Sequence, residues 1–285
     1  MKLADYLTTG KREKFALGAF NAGNLETLKA IAMAVGTLKS PVIIEVSPGE
    51  EKYLGLQNFS SLVNNLKEEY GVEIFLNLDH GEDIDIIKDS IELGFDLVHF
   101  DGSKLPLEEN IRLATEVVEM AHNKGVMVEG EIDHFPGASE RHHDEKTQDW
   151  QKIYTDPEKA REFVEKTGVD ILAVFIGNAH GVYDNEEKLN ISKLKEIKTV
   201  LQKTFFSLHG GSGVAVEDVR AAIDNGIVKV NINTDMRMAY RETLENVLRG
   251  SPDEVAMYKL MPPVIEAVEK VVEEKILLFG SSGNL

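Results

Sequence analysis

Short apolar runs rich in Val, Ile and Phe recur along the chain at residues 16–20, 41–46, 73–78, 95–100, 126–132, 170–176, 205–208 and 227–232. Runs of this length read as buried strands. Between them lie longer segments, among them 25–38, 83–93, 107–124, 157–167 and 216–225, whose apolar residues return at helical spacing. About eight strand–helix units in series, with no hairpin signal, predict a parallel sheet, because parallel strands need crossovers. At 285 residues the economical closure is an α/β fold of the (β/α)8 TIM-barrel type; a doubly wound sheet would use fewer strands. One barrel domain is expected to span residues 1–285, with extra C-terminal helices at 236–248 and 252–272. The longest irregular segment, 133–155, reads as a functional lid or as a disordered loop.

Composition narrows the chemistry. Lys+Arg is 31 and Asp+Glu is 49, a net charge of −18, which argues against nucleic acid as a partner. Cysteine is absent, so a disulfide, a thiolate metal site and a cysteine nucleophile are excluded. Any transition-metal site must use His, Asp and Glu. The first residues lack an apolar signal core, and no apolar run approaches the roughly 18–20 residues of a membrane span. The expected location is the cytoplasm.

Barrel active sites lie at the C-terminal ends of the strands, and polar residues gather there. Asn21 and Ser47 follow the first two strands, Asp79 and His80 close the third, and Asp101 closes the fourth. Glu129 and Glu131 sit in the fifth, His180 lies past the sixth, His209 ends the seventh, and Asn231 and Asn233 end the eighth. Singly, each histidine also fits a surface or packed position. Together His80, His180 and His209 read as a three-histidine metal site with an open fourth position, as in catalytic zinc centres. Asp79, beside a ligand, reads as an acid/base group; capping of the next helix is the competing role. His99 shares strand parity with Asp101, and Lys229 with Asn231. The turn His209-Gly210-Gly211-Ser212-Gly213 and the helix opening Asn231-Ile232-Asn233-Thr234 read as a phosphate pocket of backbone amides and helix N-termini. Dinucleotide, P-loop and serine-hydrolase signatures are missing.

These residues resemble the class II, metal-dependent ketose-bisphosphate aldolases, of the fructose-bisphosphate type. The resemblance runs nearly end to end. It rests on Ala16-Leu-Gly-Ala-Phe-Asn21, Leu78-Asp-His-Gly81, Asp101-Gly-Ser103, Val128-Glu-Gly-Glu131, Gly177-Asn-Ala-His-Gly-Val-Tyr183, Leu208-His-Gly-Gly-Ser-Gly213 and Lys229-Val-Asn-Ile-Asn-Thr-Asp235. It implies a zinc ion, or another divalent ion such as cobalt, on His80, His180 and His209, with Glu131 at an alternative metal position. It implies Asp79 as catalytic acid/base and a second catalytic Glu in the lid, Glu140 or alternatively Glu145. Gly181, Gly210, Gly211 and Ser212, with Asn231, Asn233 and Thr234 beside them, resemble the pocket for one substrate phosphate. Asn21 and Ser47 match positions that line substrate, and Arg237 resembles an arginine that meets the second phosphate across a subunit interface. A homodimer or homotetramer, and a monovalent cation (Na+ or K+) near the phosphate loops, also follow from the resemblance.

The resemblance has departures. Asn233 stands where fructose-bisphosphate enzymes often carry Asp, Asp184 where the family is often basic, and Asn77 where a His is often seen. The implied reaction is reversible cleavage of fructose 1,6-bisphosphate to dihydroxyacetone phosphate and glyceraldehyde 3-phosphate, as in glycolysis. Alternatives are a tagatose-bisphosphate or other ketose-phosphate aldolase, and a non-catalytic phosphosugar-binding protein.

Overall fold

The computed structural model describes every residue except 135–139, 143–153, 184–187 and 285; the side chains of Arg141, His142 and Tyr183 are also outside the description. The chain opens on α1 (Leu3–Glu13) and then alternates. In order come β1 (Leu17–Asn21), α2 (Leu25–Leu38), β2 (Val42–Val46), α3 (Pro48–Leu54), α4 (Leu56–Tyr70), β3 (Ile74–Gly81), α5 (Ile84–Glu92) and β4 (Leu97–Asp101). Next are α6 (Leu107–His122), β5 (Met127–Glu131), β6 (Arg141–His142), α7 (Pro157–Thr167), β7 (Ile171–Ala173), β8 (Val182–Tyr183), α8 (Ile191–Val200) and β9 (Phe205–Leu208). The chain ends through α9 (Val216–Asp224), β10 (Ile227–Ile232), α10 (Thr234–Gly250), α11 (Met257–Leu260) and α12 (Pro262–Phe279).

All barrel pairings are parallel, and the sheet closes in the order β1-β10-β9-β7-β5-β4-β3-β2. This is the expected (β/α)8 TIM barrel. A separate two-stranded parallel pair joins β6 to β8.

Strand parity divides the core. Phe20, Ile44, Leu76, Val98, Val128, Leu172, Phe206 and Val230 pack outward beneath the helices. The alternate positions Leu17, Ala19, Ile43, Phe75, Leu97 and Ile171 pack with one another inside the barrel. α1 closes the N-terminal end: Leu3, Tyr6 and Leu7, spaced as one helix face, join that inner cluster, and the Tyr6 ring meets Phe75 edge-on at 5.7 Å. The pattern reading assigned no helix to these first residues. The expected helix over 252–272 is replaced by α11 and α12. Pro262 and Pro263 cannot continue a helix but can start one, and the apolar spacing Val264, Val268, Val272, Ile276, Phe279 carries α12 on to Phe279.

Candidate metal and substrate site

Every barrel strand but β7 turns polar toward its C-terminal end on the inward parity; β7 stays apolar through Ile171 and Ala173. One step above the apolar plug lie Glu45, Asn77, His99, Glu129, Ser207 and Lys229, all fully buried. Two residues further along the strands come Asn21, Ser47, Asp79, Asp101, Glu131, His209 and Asn231, which form the mouth.

β3 needs a distortion to deliver two adjacent residues to one site. Its register against β4 shifts between Leu78 and Gly81, and His80 sits at φ 50°. That left-handed conformation is costly for a residue with a Cβ and clusters at functional sites. It is held by the His80 N–H, which donates to His99 Nδ1 at 3.2 Å.

The imidazoles of His80 and His209 converge, whereas His180 belongs to neither group of donors within ligand reach of one another. His80 Nε2 and His209 Nδ1 face each other at 3.1 Å. The far nitrogen of each ring meets a carboxylate: His80 Nδ1 lies 2.9 Å from Asp101 Oδ2, and His209 Nε2 lies 2.8 Å from Glu129 Oε1. The His180 ring lies with its centroid 5.0 Å from His80 and 6.0 Å from His209. Histidines that point one nitrogen at a common centre and the other at a carboxylate have the arrangement of metal ligands with their supporting partners. Two overlapping donor groups are within ligand reach, one of Asp79, His80, His99 and His209, the other of His80, Asp101 and Glu131. Both Glu131 carboxylate oxygens and His99 Nε2 are buried without hydrogen-bond partners among the described residues, though they lie 3.3 Å apart at their nearest. The donor set and these orphaned atoms fit a divalent cation.

The electrostatics agree for His180 and His209 and differ for His80. Burial pushes the His180 and His209 imidazoles down, aided by the neighbouring His80, with His209 reaching about 4. Both are therefore neutral at pH 7, as a ligand must be. Burial also disfavours charge on His80, but Asp79 and Asp101 overcome it and push that ring up to about 9. Burial raises the Asp79 carboxyl, and His80, His99, His209 and Lys229 outweigh it and hold the group well below the usual carboxylate range. Asp79 is thus ionised, and it is held by Asn21 Nδ2 at 3.1 Å and Asn231 Nδ2 at 3.3 Å.

Lys229 points inward. Its Nζ donates to Glu129 Oε2 at 2.8 Å and Asn231 Oδ1 at 2.9 Å, and lies 3.4 Å from Glu45. Burial lowers its affinity for the proton, and Glu129 and Glu45 more than reverse this, so the ammonium stays charged. A protonated amine is no nucleophile.

At the β9–β10 side, Gly210 has φ 61°, and a Cβ there would fall 1.8 Å from the Ala179 carbonyl oxygen. Only glycine fits this approach. Ser212 Oγ accepts from the Asp235 N–H in the first turn of α10, which ties the glycine turn to that helix N-terminus. A cavity of about 290 Å³ is lined by Asn21, Ser47, Asp79, His80, His180, Gly181, His209, Gly210, Ser212, Asn231, Asn233, Thr234 and Arg237, with Gly49. Glu131 lines the adjoining cavity with Asp101 and His134, and Gly211 packs against β10. Glu140 is exposed, and its carbonyl accepts from the Val182 N–H. Glu145 and Asp184 lie outside the described residues.

Sequence reading gave His99 no role and passed over Glu50. His99 is found beneath the cluster, its ring centroid 4.6 Å from that of His80 and 5.0 Å from that of His209. Glu50 grips Arg237, Ser47 and Asn21. The sequence signal was present as Ser47-x-x-Glu50, a helix capping box.

Histidines, a buried ionised aspartate and a glycine turn meeting at one cavity at the C-terminal strand ends of a closed barrel mark the place where such barrels carry their active sites. The family described as "Fructose-bisphosphate aldolase class-II" matches residues 1–284. A fructose-bisphosphate aldolase of Geobacillus stearothermophilus is 35% identical over 287 aligned positions, covering 100% of this chain and 98% of that protein. A probable fructose-bisphosphate aldolase of Bacillus subtilis strain 168 is also 35% identical, covering 100% and 99%. Among solved structures, the YdjI aldolase of Escherichia coli K12 superimposes with a TM-score of 0.85 at 32% identity, over 99% of this chain and 98% of that one. The chain belongs to the class II fructose-bisphosphate aldolase family, whose members are lyases.

Proposed function

We propose that the chain is a zinc-dependent aldolase, one domain over 1–285, that reversibly cleaves a ketose phosphate between C3 and C4 into dihydroxyacetone phosphate and an aldehyde. Fructose 1,6-bisphosphate, for which the family is named, is the substrate to test first. The observation that carries this reading is the convergence of His80 Nε2 and His209 Nδ1 at 3.1 Å, with Asp79 Oδ1 3.8 Å from His80 Nε2.

His80, His180 and His209 would hold the ion, with Glu131 as an alternative ligand. Bound there, the ion would supply Lewis-acid polarisation of the ketose carbonyl. Asp79, ionised and aimed by Asn21 and Asn231, takes the proton of the C4 hydroxyl during cleavage. The C4–O bond becomes a carbonyl as C3–C4 breaks, and the bonding pair stays with the three-carbon fragment. A protonated lid carboxyl, Glu140 in this reading, gives its proton to C3 and is left as the carboxylate, while Asp79 keeps the hydroxyl proton until it is released to solvent. Gly181, Gly210, Gly211 and Ser212, with Asn231, Asn233, Thr234 and the α10 N-terminus, orient the C1 phosphate. A monovalent cation beside these loops, a cytoplasmic location and a homodimer or homotetramer complete the reading.

Treatment with EDTA is expected to abolish cleavage, and zinc or cobalt to restore it; full activity in a metal-free preparation would refute the reading. Asp79→Ala is expected to keep its metal by elemental analysis and to lose about 10²–10⁴ in kcat.

A further inference from the structure

Glu50 is the third residue of α3, where its carboxylate accepts from the Ser47 N–H at 2.9 Å and so completes a capping box. Capping needs only that bond. The same oxygen also accepts from Ser47 Oγ at 2.8 Å and from Asn21 Nδ2 at 3.3 Å, and the other oxygen takes Arg237 Nη2 at 2.7 Å. The Glu50 side chain is only 12% exposed.

Asn21, Ser47 and Arg237 line the cavity that holds Asp79 and His80. Arg237 is the one Lys or Arg among the described residues of that lining. Within this chain it is therefore the cationic side chain that a second anionic group of the substrate would meet in this cavity. At the glycine-turn end, Gly210, Ser212 and Thr234 present neutral donors. At the Arg237 end the donors already share one carboxylate. A phosphate there would have to draw Arg237 away from Glu50 and then sit beside a negative charge. Hydroxyl groups would meet no such conflict, since they can donate to Glu50 and accept from Asn21. A second cavity of about 380 Å³ opens past this point and shares Asn21, Asn233 and Arg237 with the first, which gives the far end of a substrate room.

We propose that Glu50 sets the charge preference of the aldehyde fragment, favouring a hydroxyl-bearing uncharged end over a phosphorylated one. Specificity here comes from a repulsive element as much as from attraction. The proposal rests on the aldolase reading above.

The test is aldol addition of dihydroxyacetone phosphate to D-glyceraldehyde and to D-glyceraldehyde 3-phosphate, using zinc-loaded wild type, Glu50→Gln and Glu50→Ala. Glutamine keeps the shape and the cap acceptor but loses the charge. In Glu50→Ala, Ser47 still stands at the N-cap. The ratio of kcat/KM for the phosphorylated over the neutral aldehyde is expected to rise at least tenfold in both variants. A smaller rise, or a shift toward the neutral aldehyde, in either variant overturns the Glu50 assignment and leaves the aldolase reading standing. Failure of the loaded wild type to join dihydroxyacetone phosphate to either aldehyde overturns the aldolase reading and the assignment with it.

Discussion

The two ends of the barrel interior are built from the same strand positions, two residues apart, and could hardly differ more. At the N-terminal end, Leu17, Ile43, Phe75, Leu97 and Ile171 close on α1 without a charged side chain among them. One step up, Glu45, Glu129 and Lys229 are fully buried charges or potential charges. Burying apolar surface stabilises at about 25 cal/mol per Å². Burying ions is often neutral or unfavourable relative to a hydrophobic replacement. Stability therefore resides in the lower end, and the upper end retains its polar residues because they position the histidines. The clearest link is Lys229 to Glu129 to His209, with a salt bridge at 2.8 Å and a His–carboxylate contact at 2.8 Å.

Glu129→Gln should break this comparison most severely. It removes the anion that supports His209 and leaves Lys229 with the Asn231 amide oxygen at 2.9 Å and Glu45 as its remaining carboxylate contact at 3.4 Å. Metal affinity is expected to fall about 10–100-fold, as for other lost supporting partners of metal ligands. Unfolding free energy is expected to fall by about 3–5 kcal/mol, because a buried charge loses its partner. Competition with a chromogenic chelator and urea unfolding measure the two. The double variant Glu129→Gln/Lys229→Met should recover stability but not metal affinity. Recovery of both would show that Glu129 serves Lys229 alone.

Leu7→Ala probes the other end. Leu7 is fully buried against the apolar plug. The cavity should cost about 2–5 kcal/mol in urea unfolding, while metal content and KM stay at wild-type values. A changed KM would mean that α1 communicates with the mouth.

The upper end was more legible in the sequence than the lower. His80, His209, Asp79 and Asn231 announce themselves because polar residues interrupt apolar strands. Helix α1 stayed hidden because its three buried anchors, Leu3, Tyr6 and Leu7, sit among Lys, Asp, Thr and Gly, and its docking depends on strands far along the chain. The break at Pro262 was readable, since two prolines stood inside the expected helix. The pairing of Glu50 with Arg237 spans 187 residues and follows from barrel closure, which no local pattern encodes. His99 was placed by parity, but its partners lie on other strands: Asp79 on β3, Glu131 on β5 and His209 at the end of β9.

The smallest effect should come from Glu45, where the comparison can be sharpened by pH. Burial pushes its carboxyl up to about 8, with the charge on Asp79 adding to it, while Lys229 and the Asn77 side chain pull the other way. A free glutamate titrates near 4.3. Between these values the folded chain keeps a proton that the unfolded chain has released. Stability must then fall as pH rises through that window, and the loss is complete above about 8. Glu45→Gln removes the titration while keeping an acceptor for Asn77 Nδ2, which bonds Glu45 at 2.9 Å. At pH 5 the variant should melt within about a degree of wild type. At pH 8.5 it should be more stable by about 1 kcal/mol or more, equivalent to ~2–4 °C. If the variant is instead less stable by the same amount at both pH values, Glu45 is a permanent counter-charge to Lys229, and the buried ions of the upper end contribute to stability after all.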